Sequence, residues 1–183
     1  MMHKSIAIEE DIQTSLIRLN ALSFLGHSDE IMKTISSSEL LKVNLKAWSI
    51  YVKSLSYDKS KPVSSITHAM NHIMELQKTR YPHENIDAAI SSCIDGIGFK
   101  KAGYELEEMW MKLKKSYVLN ENAYNSAIEA FCRLKKQGRV IDLLVEMKKN
   151  KINLSDKTLY SFSVFLKDAH PNVYKEALDK IKE

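Results

Sequence analysis

Apolar residues recur at helical spacing along almost the whole chain, and corresponding landmarks return at a nearly constant interval. Met74, Met111 and Met147 lie 37 and 36 residues apart. Trp48, Tyr124 and Tyr160 keep the same phase, with Ile86 in the remaining slot, and Val140 and Ala177 are again 37 apart. A period in the mid-thirties that holds two helices per unit is the mark of an α-solenoid. A single helical hairpin cannot bury its own apolar face, so the core forms where neighbouring hairpins stack. The spacing predicts an all-α fold, an α-solenoid of about five helix-turn-helix hairpins in a single helical-repeat domain over residues 1–183.

Sparse punctuation agrees. The chain has 5 Gly and 3 Pro in 183 residues, about half or less of ordinary usage. Neither the many positive-φ turns of a β-sandwich or barrel nor a glycine-rich phosphate loop can be built from so few. Ile12, Leu16, Leu19 and Leu22 form one stripe of an amphipathic helix. Ser28-Asp29-Glu30 reads as the next helix start, with a hydroxyl for the open N–H groups and acids for the dipole, leading into Ile31, Met32 and Ile35. Ser38-Glu39 and Asn44 lead into Trp48, Tyr51, Val52 and Leu55. Pro62, Pro82 and Pro171 each precede a helical stripe, where a missing N–H costs nothing. The hairpins are expected near 5–36, 43–78, 84–115, 122–150 and 156–183.

Positive charge is concentrated. Residues 1–97 carry 10 Lys+Arg and 11 Asp+Glu, whereas residues 98–151 carry 12 and 7. An anionic partner would be steered to that stretch, although a solvated surface of lysine-rich helices has the same composition. Cys93 and Cys132 cannot make a disulfide framework and fit a reducing compartment. No run of 18 apolar residues exists that would span a membrane. Glu9, Glu10 and Asp11 are not what an organelle import peptide carries, so no such peptide is expected within these first residues. With no polar cap after Lys180, the native chain is expected to continue in both directions, and the fragment to unfold with weak cooperativity or self-associate.

The fourth hairpin carries a more specific pattern: Ala123-Tyr124-Asn125-Ser126-Ala127-Ile128-Glu129-Ala130-Phe131-Cys132-Arg133, then Val140, Leu143, Leu144, Glu146-Met147-Lys148-Lys149 and Ile152. This closely resembles a pentatricopeptide repeat, with its early Tyr-Asn, its Ile followed by a Cys-Lys-like pair, and its acidic-Met ending. Tyr160-Ser161, Val164 and Glu176-Ala177-Leu178 match more weakly, and the second and third hairpins match in length and phase. Tetratricopeptide repeats share the unit, but the small residues and helix-terminal Pro of their signature are not in phase here.

The resemblance implies a right-handed solenoid that binds single-stranded RNA, one base per repeat, in organellar and chiefly mitochondrial post-transcriptional expression: RNA stability, processing or translation. The base-facing roles would fall on Ser49, Asp87, Asn125 and Ser161, and on His83, Asn120 and either Ser155 or Asp156. The phosphate role falls on Arg133; the equivalent slots elsewhere are Tyr57, Asp95 and Ala169. The family's apolar base-sandwiching slots are here Lys46, Glu84, Asn122 and Thr158, none of them apolar, which weakens a coded reading. Backbone binding through Lys112, Lys114, Lys115, Arg133, Lys135, Lys136, Arg139, Lys148, Lys149 and Lys151 is the simpler expectation. The rival from another class is a protein-binding scaffold, including a subunit of a larger assembly such as a mitochondrial ribosome.

Nothing points to catalysis or a cofactor. His68 and His72 lie four apart with Glu75 beyond, and His83 is the one visible further metal ligand, so two surface histidines are the simpler reading. The two cysteines fall in apolar helix phases, as small buried hydrophobes do. Met70, Met74, Met109, Met111 and Met147 read as core fillers, and Trp48, Trp110 and Tyr124 as packing between hairpins.

Overall fold

A computed structural model describes residues 2–153, 155–167, 171, 172, 174, 175 and 179, with backbone alone for 2–11, 157 and 166. Among them are ten helices and no strand. In order they are α1 Met2–Phe24, α2 Ser28–Ser36, α3 Glu39–Lys42, α4 Leu45–Tyr57 and α5 Val63–Arg80, followed by α6 Asp87–Phe99, α7 Gly103–Ser116, α8 Glu121–Arg133, α9 Gln137–Lys149 and α10 Asp156–Leu166. The fold is all-α, and α1 packs on α2, α4 on α5 and α8 on α9. The four-residue α3, which was not anticipated, is among the ten. Val173, Ala177, Leu178 and Ile181, expected on the last helix, lie outside the described residues, as does Ala169.

Two compact units divide the chain after Gly96. In the first, α1 packs on α4, α4 on α5, and α2 on α1, α3 and α4. The stripe read from the sequence makes this core: Leu16, Leu19, Ile31, Ile35, Leu41 and Ala47 are buried, with Ile12, Leu22, Trp48 and Tyr51 partly buried against them. The Ser56 hydroxyl donates to the Ser92 carbonyl at 2.9 Å, tying α4 to α6. In the second unit, α9 and α10 both pack on α8. Leu106, Met109, Trp110 and Leu113 line one face of α7, at i, i+3, i+4 and i+7, and the Trp110 ring meets Tyr124 edge-on at 5.1 Å. Phe131, Leu143, Leu144 and Met147 complete the core; full burial of each such side chain stabilises by ~1.5–3 kcal/mol. A Cβ at Gly98 would lie 2.6 Å from that of Ala130, so the end of α6 approaches α8 as closely as glycine permits.

Helix ends follow two chemistries. Asn44, Asn120 and Ser155 cap α4, α8 and α10 by accepting from Ala47, Ala123 and Thr158 N–H groups at 3.0, 3.1 and 3.3 Å. Four C-termini close alike, with one residue in the left-handed region: Gly26 (φ 71°), Lys101 (56°), Lys135 (57°) and Lys151 (56°). In each the following N–H reaches back five residues: His27 to Leu22, Ala102 to Ile97, Lys136 to Phe131 and Ile152 to Met147. Glycine adopts this conformation without strain, whereas each lysine does so at a cost of roughly 1–2 kcal/mol.

Three expectations are corrected. Ser28 does not cap α2: His27 holds that position without a side-chain bond, and the Ser28 hydroxyl donates instead to Asp58 Oδ2 at 2.5 Å. Met111 is 60% exposed, because the packed face of α7 is set by Met109 and Trp110. Tyr160 does not share the burial of Tyr124. Thr158 and Phe162 (i, i+4) turn inward on α10, which leaves Tyr160 71% exposed.

Candidate functional site

Helices α8 and α10 bring together the largest group of expected site residues. Near their N-terminal ends Asn125, 8% exposed, donates from Nδ2 to Ser155 Oγ at 3.1 Å and accepts from the Thr158 hydroxyl through Oδ1. Ser155 and Thr158 hydroxyls share a further bond at 2.9 Å. The expected pairing of Asn125 with Ser155 or Asp156 is thus a contact with Ser155, while Asp156 is exposed in the first turn of α10. Both ends of the Asn125 amide are engaged within the protein. Of the four sandwich slots, Lys46, Glu84 and Asn122 are exposed and Thr158 is buried in this knot.

Toward the C-terminal end of α8 lies a cleft of about 530 Å³, lined by Glu129, Arg133 and Lys135 from α8 and its joint and by Tyr160, Ser161 and Val164 from α10. Arg133 is held in place. Its guanidinium bonds Glu129 Oε2 at 3.0 Å and lies over the Phe99 ring, 4.4 Å from its centre. Lys135 is exposed on the left-handed joint that ends α8. Three expected RNA contacts, Arg133, Lys135 and Ser161, therefore converge with the exposed ring of Tyr160. Cys132 also borders the cleft, its thiol pushed up to about 12 by burial, helped by the Glu129 charge and opposed by Arg133. Cys93 is fully buried, and burial raises its thiol likewise to about 12.

The remaining cations divide into two groups. Arg139 makes a fork on Glu107, at 2.9–3.1 Å, and reaches Asp142 at 3.4 Å; Lys136 approaches Glu107 at 3.7 Å, and Lys114 pairs with Glu146 at 2.6 Å. Apart from the Arg139–Asp142 pair, which lies within α9, these bonds tie α7 to the α9 segment. Glu146 also accepts from the Tyr124 hydroxyl at 2.8 Å, and burial first, then this bond, raises that phenol to about 12. Lys112, Lys115, Lys149 and Lys151 are exposed and Lys148 is half-buried.

The other expected base contacts each have their own surroundings. Ser49 donates to its own helix at Leu45 O (2.8 Å), Asp87 meets the Asn85 side chain at 2.9 Å at the start of α6, His83 is exposed, and Asn120 is committed to its cap. The His72 ring lies against that of Trp48, centres 4.1 Å apart and planes tilted by 49°, and no three His, Cys, Asp or Glu side chains among the described residues gather as a metal site. No helix among them is long and apolar enough to cross a membrane. No protein-family model matches the chain, and no curated protein is significantly similar to it.

Proposed function

We propose that this chain is a helical-repeat protein of pentatricopeptide type, a right-handed solenoid that binds single-stranded RNA. Its role is in mitochondrial post-transcriptional expression, through RNA stability, processing or translation, and it acts by binding rather than catalysis. The observation that carries the reading is the convergence of Arg133, Lys135 and Ser161 in one cleft between the first helices of successive hairpins. That cleft lies in the part of the chain with surplus positive charge: residues 97–183 have 17 Lys+Arg against 12 Asp+Glu. Phosphate contact supplies sequence-independent affinity with a steep salt dependence. The engaged amide of Asn125 and the polar sandwich slots favour backbone binding over a base code.

The test is equilibrium binding of single-stranded and duplex RNA of random sequence over a salt series. Preference for single strands, a steep loss with salt and weaker binding by Arg133→Ala are expected; no binding at low salt overturns the reading. A specific observation favours a second reading, a protein-binding scaffold or ribosomal subunit: Ile17, Phe24 and Leu25 are exposed apolar residues of the acidic first unit, with the Lys53 ammonium 3.4 Å from the centre of the Phe24 ring.

A further inference from the structure

Helix α1 carries a second apolar stripe, turned away from the core that holds Leu16 and Leu19. Ile17, Ala21 and Phe24 fall at i, i+4 and i+7, with Leu25 just past the helix end, and all four are exposed. Helix α4 packs alongside. The Lys53 ammonium lies over the Phe24 ring, 3.4 Å from its centre, and a Cβ on Gly26 would sit 3.2 Å from the Tyr57 carbonyl carbon, so the C-terminal ends of the two helices meet. On α4 the same face runs through Lys46, Ile50, Lys53 and Tyr57, of which Lys46 and Tyr57 are exposed and the other two half-buried. At ~1.5 Å per residue these stripes are about 12 to 16 Å long, enough to seat two to three turns of another helix.

Charge says what kind of surface fits there. Arg18, Lys42 and Lys61 of the same unit pair with Glu30, Glu39 and Asp29. Lys46 and Lys53 have no carboxylate partner among the described residues. Burial lowers the Lys53 ammonium from its ordinary value with no opposing charge to restore it, so an incoming carboxylate meets a cation that has already lost part of its water. A second copy of the chain fits poorly, because the side chains of the two stripes include no acid and a two-fold contact would set cations against cations. RNA fits poorly as well. Residues 1–97 carry 10 Lys+Arg against 11 Asp+Glu, so nothing steers a polyanion to this unit.

We propose that the α1–α4 face of the first unit docks an amphipathic helix of a partner protein, with the partner's apolar stripe on Ile17, Phe24 and Leu25 and a flanking carboxylate on Lys53. The inference rests on the protein-binding reading above and names the chemistry of the partner; RNA binding by the second unit is independent of it. A helix laid in such a groove anchors through apolar residues at i, i+3 or i+4 and i+7, which matches the ~10 Å rise between Ile17 and Phe24. The apolar anchors supply affinity, and the two unpaired lysines select an acidic partner over a basic one.

The experiment uses the full chain and three capped helical peptides of about 16 residues, roughly 24 Å of helix. They share one leucine stripe and carry Glu, Gln or Lys on both sides of it. Anisotropy gives the affinities, and amide chemical shifts locate the site. The Glu peptide should bind about fivefold tighter than the Lys peptide, with shifts centred on residues 17–25 and 46–57. Lys53→Glu should reverse that preference and Lys53→Gln should abolish it. Phe24→Ser should weaken all three peptides about tenfold. Each substitution is at an exposed or half-buried side chain, and a melting temperature near that of wild type confirms the fold. Equal binding of the Glu and Lys peptides, or shifts confined elsewhere, overturns the proposed partner and leaves a protein-binding solenoid standing. Self-association that Phe24→Ser abolishes gives the face to a second copy and overturns it too. Failure of all three peptides to bind overturns both the docking face and the protein-binding reading.

Discussion

Asn125→Ala is expected to loosen α10 from α8, by an amount the hydrogen bonds fix. The substitution removes the bonds to Ser155 Oγ and from the Thr158 hydroxyl. A net contribution of ~0.5–1.5 kcal/mol for each gives about 2 kcal/mol. The stranded partners add little, because the Ser155 and Thr158 hydroxyls keep each other at 2.9 Å and Ser155 keeps the Thr158 N–H. With a urea slope of ~1–3 kcal/mol/M, the midpoint should fall by about 1 M. A cycle with Thr158→Val isolates the shared bond and should show a coupling of ~1 kcal/mol. A loss below ~0.5 kcal/mol, or fully additive single effects, would refute the clamp. In that case the amide would be available for reading a base.

Three further outcomes follow from the geometry. Gly98→Ala should destabilise by ~1–3 kcal/mol through the collision with Ala130, and Ala130→Gly in the same chain should recover only part of that loss in thermal melts, since the Ala130 Cα stays 3.0 Å from the added Cβ and a glycine inside α8 costs about 1 kcal/mol. Cys93, Cys132 and Tyr124 are held neutral in the fold, their values raised from 9.0, 9.0 and 10.0 to about 12. Their stabilisation is complete below the unfolded values and is lost as pH rises through them toward 12, so urea midpoints should decline above about pH 9, and a thiol reagent at pH 8 should reach Cys93 only on unfolding. Asp58 behaves oppositely. Burial works to raise it, but hydrogen bonds from Ser28 and Ser60 and the Lys61 charge bring it below the usual carboxylate value. Its stabilisation is therefore present above the unfolded value of 3.8 and lost as pH falls, and Asp58→Asn should flatten the acid limb of the stability profile.

Periodicity made the all-α class legible, because Leu16, Leu19, Ile31 and Ile35 pack into one apolar core. It failed where one residue of phase decides exposure. Met111 and Met147 occupy the same repeat slot, yet Trp110 takes the inward position on α7 and turns Met111 out. Tyr124 and Tyr160 share a slot too, but Tyr124 has Trp110, Glu146 and Asn150 as partners, whereas Phe162 pulls α10 the other way. Weighing Phe162 against Tyr160 would have exposed the difference. The cations at the cleft were legible as a charge excess. Which of them are engaged was not, because the ion pairs of Arg139 and Lys136 with Glu107 join residues 29 and more apart in sequence. The left-handed lysines carry no sequence signal, since glycine is the residue that marks such joints.

Photo-cross-linking of single-stranded RNA to the intact chain, with the adduct located by mass spectrometry, tests the central claim most directly. The account predicts adducts on Tyr160 and its helix, competed away by unlabelled single strands and not by duplex. Adducts confined to residues 12–96, or equal competition by duplex, would contradict it.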